Sequence, residues 1–452
     1  MAGASRRAGR VTGAPQVQIP LSAVLLDTAV AVQSVLSGRS LTETLDALPS
    51  VRRPAAQALA SHVMRTLGTA IADRSYLVRR RPEQPLLDAL LLTALSLLDA
   101  AVRHEQGTAL PHEPNYASHT LVDQAVEAAA GQVRLKHFKS LINAVLRSFL
   151  REYGQLPRDD DEARWNFPQW WVRKLQFAYP DAWQTVIESS ATPAPLTLRV
   201  NRRRASLAQV ADALAAAGVQ AEPVGSWGLT LAGSHVVTRL PGYTEGWWSV
   251  QDAGAQRAAE LLAPREGMRV LDACAAPGGK TAHLLECADV ELLALDADAG
   301  RLARVHENLA RLRLDGPAVQ VRAGDAARPD TWWDGRPFDA MLVDAPCTAS
   351  GVVRRHPDIR WLRREADVQK TAAVQRRMLD ALWPLLAPGG RLLYVTCSVF
   401  PEECAGQARA FLKAHADAVA LEAPGQLLPV GANATLSHQH DGFFYALFAK
   451  QA

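Results

Sequence analysis

Between Ser22 and Leu36 the apolar residues Val24, Leu25, Ala29, Val32 and Leu36 recur at steps of three and four, the spacing of one helix face, and Gly38 supplies a stop. Ser40 and Glu43 follow at capping-box spacing, where a hydroxyl and a carboxylate satisfy the orphan amides of a helix start. The same period returns at 86–98 and 121–150 while strand-like alternation is nearly absent, so residues 19–154 predict an all-α domain. Over 155–255 the pattern turns short and mixed, with clustered Trp, Pro and Arg. Residues 196–200 read as a strand, Ser206 as the cap of a helix over 207–217 ended by Gly218, and 219–224 as a second strand: a small α+β module. From 256 to 452 apolar runs at 268–271, 292–295, 319–321, 340–343 and 392–395 alternate with helical stretches around His283 and at 300–312, 367–385 and 402–414. That alternation predicts a Rossmann-like α/β domain with a parallel sheet, whose ligands bind beyond the carboxyl ends of its strands.

A chain of 452 residues has room for two or three such units, in line with this multidomain division. Its 49 Lys and Arg against 46 Asp and Glu leave a net charge of +3, too small for a whole-molecule field, so any nucleic-acid surface must come from local clusters. Five cysteines, without a C-x-x-C pair or a histidine at zinc-ligand spacing, exclude a disulfide scaffold, predict no metal, and suit a reducing cytoplasm. The apolar stretch 86–102 is interrupted by Asp88 and Asp99, costly in lipid but at home on the rim of a soluble helix, so no membrane span is expected. Arg6, Arg7 and Arg10 among Gly, Ala and Ser lack the apolar core of a secretory signal, and 1–18 reads as a disordered tail.

Three basic clusters stand out. Arg134, Lys136, His137, Lys139, Arg147 and Arg151, interleaved with Leu141, Ile142, Val145 and Leu146, predict a helix that is basic on one side and apolar on the other. Arg199, Arg202, Arg203 and Arg204 place four guanidinium groups at the end of the 196–200 strand, and Arg354, Arg355, His356, Arg360, Arg363 and Arg364 form a third group. The first reads equally as an RNA face or a solvated helix face, the second is expected to contact an RNA backbone, and the third to steer a single-stranded or flipped-out base inward.

The loop after the first Rossmann-like strand reads D-A-C-A-A-P-G-G-K-T, Asp272 to Thr281. A phosphate-binding loop would need glycine where Cys274 stands, and Pro277 deletes an amide donor; the dinucleotide fingerprint G-x-G-x-x-G fails as well. What remains, Cys274, Ala275, Ala276, Pro277, Gly278, Gly279 and Lys280, is a glycine turn that lets backbone approach a ligand lacking a pyrophosphate. Asp296, closing the second strand, is placed to accept two ribose hydroxyls, and Asp325, after the third, lies near an adenine position. This order matches the nucleoside half of a pocket for S-adenosylmethionine (SAM). The fourth strand ends in D-A-P-C-T-A-S-G from Asp344, the fifth in T-C-S-V-F-P-E-E from Thr396, so Cys347 and Cys397 occupy equivalent places at the catalytic edge of the sheet.

On these motifs the chain from 196 to 450 resembles the NOL1/NOP2/Sun family of RNA cytosine-5 methyltransferases. D-A-P-C and T-C-S are specific to it in combination, and V-V-R-R-H-P-D-I-R-W, from Val352, and D-G-F-F-Y-A, from Asp441, support the Sun/Fmu type within it, bacterial enzymes acting on 16S ribosomal RNA. The helical region is similar to a NusB-like RNA-binding domain. The resemblance implies that Cys397 is the nucleophile added to cytosine carbon 6, that Cys347 helps release the product, and that Asp344 holds the base while bordering SAM; Lys280 is a candidate for activating the thiol. It implies a monomer acting on 16S rRNA that is unassembled or partly assembled. Two alternatives differ in class: a transfer-RNA cytosine-5 methyltransferase, against which the NusB-like region speaks, and a non-catalytic RNA-binding assembly factor, against which the intact cysteines, Asp344 and cofactor turn speak.

Overall fold

The computed structural model describes residues 19–451, so the tail expected at 1–18 lies outside the described residues. The chain divides after Arg158 into two compact units. The first is helical, with Leu21–Leu36, Leu41–Asp46, Arg53–Leu77, Pro85–Glu105, Ser118–Ala130 and Lys139–Glu152 as its α-helices. Ser40 caps the second of these by accepting from the Glu43 amide at 3.3 Å. Pro85–Glu105 is long and apolar enough to cross a membrane by composition, yet residues 87–102 are buried throughout and pack on Leu21–Leu36 and Arg53–Leu77. Asp88 and Asp99 are not at a rim. Both are buried, Asp88 between Arg74 (3.2 Å) and Arg81 (2.9 Å), Asp99 between Arg103 (2.9 Å) and Arg158 (2.8 Å), because neighbouring segments supply the guanidinium groups that compensate a buried carboxylate. The first of the three basic clusters resolves into a short turn at Lys136–Phe138 and the helix Lys139–Glu152, with Ile142, Val145 and Leu146 buried and Arg134, Lys136, His137, Lys139, Arg147 and Arg151 exposed.

The second unit opens with three short helices, Asp161–Trp165, Gln169–Ala178 and Trp183–Ser189, joined around an aromatic cluster of Phe167, Trp171 and Phe400. Strands β1 (Leu196–Val200), β2 (Ala221–Val224), β3 (Gly228–Leu231) and β4 (Trp248–Val250) follow, forming an antiparallel sheet in the order β2-β3-β1-β4. The helix Leu207–Ala216 starts at Ser206 with a capping box completed by Gln209.

The larger sheet comprises β5 (Arg269–Asp272), β6 (Glu291–Asp296), β7 (Val319–Ala323), β8 (Phe338–Asp344), β9 (Leu386–Thr396), β10 (Ala418–Leu427) and β11 (Phe443–Lys450), in the order β10-β11-β9-β8-β5-β6-β7. The strands β5 to β9 are parallel, but β11 runs antiparallel to both β9 and β10, so the sheet is mixed and not wholly parallel as expected. Val270, Leu292, Leu342 and Leu393 face one helical layer, and Leu271, Leu293, Met341, Val343 and Leu392 the other. Cover on both faces explains why these strands read as continuous apolar runs. From β5 the chain works outward to β7 and then returns to β8 on the other side, which opens a crevice at the carboxyl ends of β5 and β8, the place where sheets of this kind bind ligands.

Candidate active site

At the end of β5 the chain turns through 273–278 into the helix Gly279–Cys287. Gly278 has φ +97°, and a Cβ there would lie 3.2 Å from Val305 Cα, so this turn requires glycine. Asp272 is buried beneath it and accepts from Thr281 Oγ1 at 2.7 Å; burial pushes its carboxyl up to about 7, against the pull of that hydrogen bond. Asp296, 5% exposed at the end of β6, accepts from the amides of Ala276 and Asp298, each at 3.0 Å. Because a carboxylate has about four acceptor sites, two amides leave capacity for a pair of hydroxyls. The turn and Asp296 therefore fit a nucleoside ligand without a pyrophosphate. Asp325 is exposed after β7, its carboxylate accepting from the Ala327 amide at 2.9 Å. Burial, first among its causes, pushes the Cys274 thiol well above its ordinary value, so it stays protonated and serves as wall.

The loops after β8 and β9 bring the two edge cysteines together. Cys347 Sγ and Cys397 Sγ are 3.4 Å apart. Ala349 adopts φ +59° and folds the β8 loop back so that the Gly351 amide donates to the Cys397 carbonyl at 2.9 Å. A Cβ on Gly351 would lie 2.2 Å from the Gly442 carbonyl oxygen, so this crossing too requires glycine. The hydrogen bond with Cys397, followed by burial, pushes the Cys347 thiol well above its ordinary value. Lys280 Nζ donates to Asp344 Oδ2 at 2.6 Å and lies 5.6 Å from the Phe443 ring centre. Burial works against its charge, but Asp344, with a further contribution from Cys397, raises its pKa, so the ammonium persists. One crevice thus holds the glycine turn, an ammonium–carboxylate pair and two thiols. Local pattern did not reveal Phe443, delivered by β11, or Arg301, whose guanidinium donates to the Ala276 carbonyl at 2.9 Å one helical turn after Asp298.

The arginines divide sharply. Arg199 is not on an RNA face: it is wholly buried, forked onto Glu286 at 2.9 and 2.7 Å, and donates to the Gly279 carbonyl at 2.7 Å, thereby tying β1 to the glycine turn. Arg354 is buried against Thr192, with its Nε 3.1 Å from the carbonyl. Arg360 is buried 4.0 Å over the Phe167 ring, and Arg355 is paired with Asp252 (2.7 Å) and Asp441. These three also fail as backbone contacts, because the loop after β8 turns inward and spends its charges on internal acceptors. Arg202, Arg203, Arg204 and His356 are exposed, although Arg203 pairs with Asp289 and Arg202 lies 4.7 Å over the Trp227 ring.

Comparison with known proteins agrees with this geometry. Residues 259–449 match the family model of the 16S rRNA methyltransferase RsmB/F, and 167–238 match the ferredoxin-like domain of RsmF/B-like methyltransferases. The chain is 42% identical over 338 residues to ribosomal RNA small subunit methyltransferase B of Serratia proteamaculans, covering 74% of this chain and 78% of that one. It is 43% identical over 344 residues to the protein of the same name from Vibrio cholerae, covering 74% and 77%. The crystal structure of PH0851 superposes with a TM-score of 0.77 at 24% identity, over 96% of this chain and all of that one, a likeness of fold. A methyltransferase sheet covered by helices on both faces, a ferredoxin-like module and relatives above 40% identity over most of their length lead to one conclusion: the chain belongs to the RsmB/F family of 16S rRNA methyltransferases, enzymes that transfer a methyl group from SAM to small-subunit ribosomal RNA.

Proposed function

We propose that this enzyme methylates carbon 5 of a cytosine in 16S rRNA through a covalent bond between Cys397 and carbon 6. The observation that carries the reading is the pair of thiols 3.4 Å apart beside the Lys280–Asp344 pair. Carbon 5 of cytosine is too weak a nucleophile to take a methyl group unaided, so a thiolate first adds to carbon 6 and pushes an electron pair toward carbon 5. SAM supplies an electrophilic methyl group. The turn from Cys274 to Lys280 with Asp296, Asp325 and Asp344 holds it. Lys280, whose ammonium interacts with Cys397, is the group assigned to activate that thiol. Asp344 hydrogen-bonds the base near N3 and N4, where a proton is gained as the adduct forms.

The partner thiol acts afterwards. Cys347, whose sulfur stands 3.4 Å from that of Cys397, lies beside the adduct once Cys397 is bonded to carbon 6. It assists removal of the carbon 5 proton, the electron pair re-forms the double bond between carbons 5 and 6, and Cys397 leaves as thiolate. The helical unit is assigned as a NusB-like RNA-binding domain on its exposed basic helix, and Arg202, Arg203, Arg204 and His356 as RNA contacts of the second unit. The substrate is 16S rRNA in an unassembled or partly assembled state, and the enzyme works as a cytoplasmic monomer. Cys347→Ala tests the assignment: it should accumulate an RNA–protein complex that survives denaturing electrophoresis, requires SAM and RNA together, and disappears when Cys397 is also replaced. A complex formed by Cys397→Ala instead would invert the two roles.

A further inference from the structure

Glu403 is wholly buried in the turn Pro401–Glu403 after β9, and its carboxylate accepts four hydrogen bonds from three separate segments. Oε1 takes the Thr348 amide at 2.8 Å and the Thr371 hydroxyl from the helix Glu365–Leu382. Oε2 takes the Thr348 hydroxyl at 2.5 Å and the Ser398 hydroxyl at 2.6 Å. Thr348 follows Cys347 directly, and Ser398 follows Cys397 directly. Around this centre Ser350 Oγ and Ser398 Oγ are 2.9 Å apart, and the Val399 amide donates to Ser350 Oγ at 2.9 Å. The Glu403 carbonyl is itself held by Tyr394 Oη at 2.8 Å.

Burying a carboxylate is costly, and a well-packed apolar side chain usually serves stability as well or better. The four donors, with no cation hydrogen-bonded or ion-paired to this carboxylate among the described residues, point to a use other than stability. We propose that Glu403 is a positioning residue for methyl transfer, its carboxylate clamping the β8 and β9 loops so that the two thiols stay in contact. The inference rests on the reading of Cys397 and Cys347 as the reacting groups. It differs from a charge effect in one respect. A glutamine amide also fits the clamp: its oxygen accepts from the Thr348 amide and Thr371, while its NH2 donates to the Thr348 and Ser398 hydroxyls, which rotate to accept.

The test compares Glu403→Ala and Glu403→Gln in the full chain, reading kcat, KM for RNA, Kd for SAM, and the rate at which diamide couples Cys347 to Cys397, followed by peptide mass spectrometry. In that coupling the two thiols lose two protons and two electrons to the azo bond of diamide, which becomes a hydrazine. A misplacement near 1 Å costs about a hundredfold in rate, so Glu403→Ala should lower kcat by about that factor with KM and Kd little changed, and slow coupling in parallel. Glu403→Gln should restore both. Unchanged kcat in Glu403→Ala, a fall in kcat with unchanged coupling, or a glutamine variant as impaired as the alanine one would overturn the proposal. If Glu403→Ala does not fold, Thr348→Val removes one arm of the clamp and must reduce both kcat and coupling rate; unchanged values overturn the proposal equally. Full turnover by Cys397→Ala would sink the assignment of the thiols separately, since the coupling rate reports on the clamp whichever sulfur reacts.

Discussion

Arg199 provides the sharpest test of the burial argument, because its sequence context predicts an RNA contact and its surroundings forbid one. Its side chain and that of Glu286 are both 0% exposed, joined through two hydrogen bonds. Arg199→Ala strands a carboxylate where water cannot reach it, and breaking a buried pair by removing one partner costs about 3–5 kcal/mol. The corresponding fall in melting temperature is on the order of 6–20 °C. Burial already raises the Glu286 pKa while Arg199 opposes that rise, so loss of the guanidinium raises it further. The folded variant then holds a proton that its unfolded chain releases, and its stability falls as pH rises between the unfolded and folded pKa values. The deficit should therefore be larger at pH 8 than at pH 5, and Arg199→Met combined with Glu286→Leu should recover much of it. Differential scanning calorimetry across that pH range measures the effect. RNA binding followed against salt supplies the contrary outcome: a melting temperature within a degree of wild type, together with a loss of about 0.7–0.9 in the slope of log affinity against log salt, would mean a phosphate contact after all.

Asp296→Ala removes the acceptor of two turn amides and of the ribose hydroxyls assigned to it, and should weaken SAM binding by about 10- to 100-fold in calorimetry; unchanged affinity would exclude Asp296 from the site. Gly278→Ala forces a side chain into φ +97° against Val305 and should cost about 1–3 kcal/mol, whereas Gly279→Ala, with its nearest neighbour 3.9 Å away, should melt close to wild type. Replacing Lys136, Lys139 and Arg147 by Gln should raise KM for 16S rRNA with little change in kcat and reduce the salt slope by about 0.7–0.9 per lost contact; an unaltered slope would remove this helix from the RNA surface.

What the sequence by itself determined is what short-range chemistry encodes. Helix caps at Ser40 and Ser206, the apolar runs of β5 to β9 and the loops at their carboxyl ends are properties of a few neighbouring residues, and they located the glycine turn, Asp296 and both cysteines. The resemblance to known methyltransferases rested on the same loops. Exposure, however, is not a local property. Arg199 and Arg202 sit three residues apart with the same charge, yet one is sealed against Glu286 and the other lies open over Trp227, because Arg199 stands on β1 against the helix Gly279–Cys287 whereas Arg202 lies in the turn beyond the strand's end. Likewise Asp88 and Asp99 read as rim residues until distant arginines closed on them. Only the tertiary structure decided that β11 enters antiparallel, that Phe443 faces Lys280, and that Glu403 ties together two cysteine loops 50 residues apart. Each of these depends on contacts between segments remote in the chain, whose energy comes from burial and compensated charge, and no window of neighbouring residues contains both halves of such a contact.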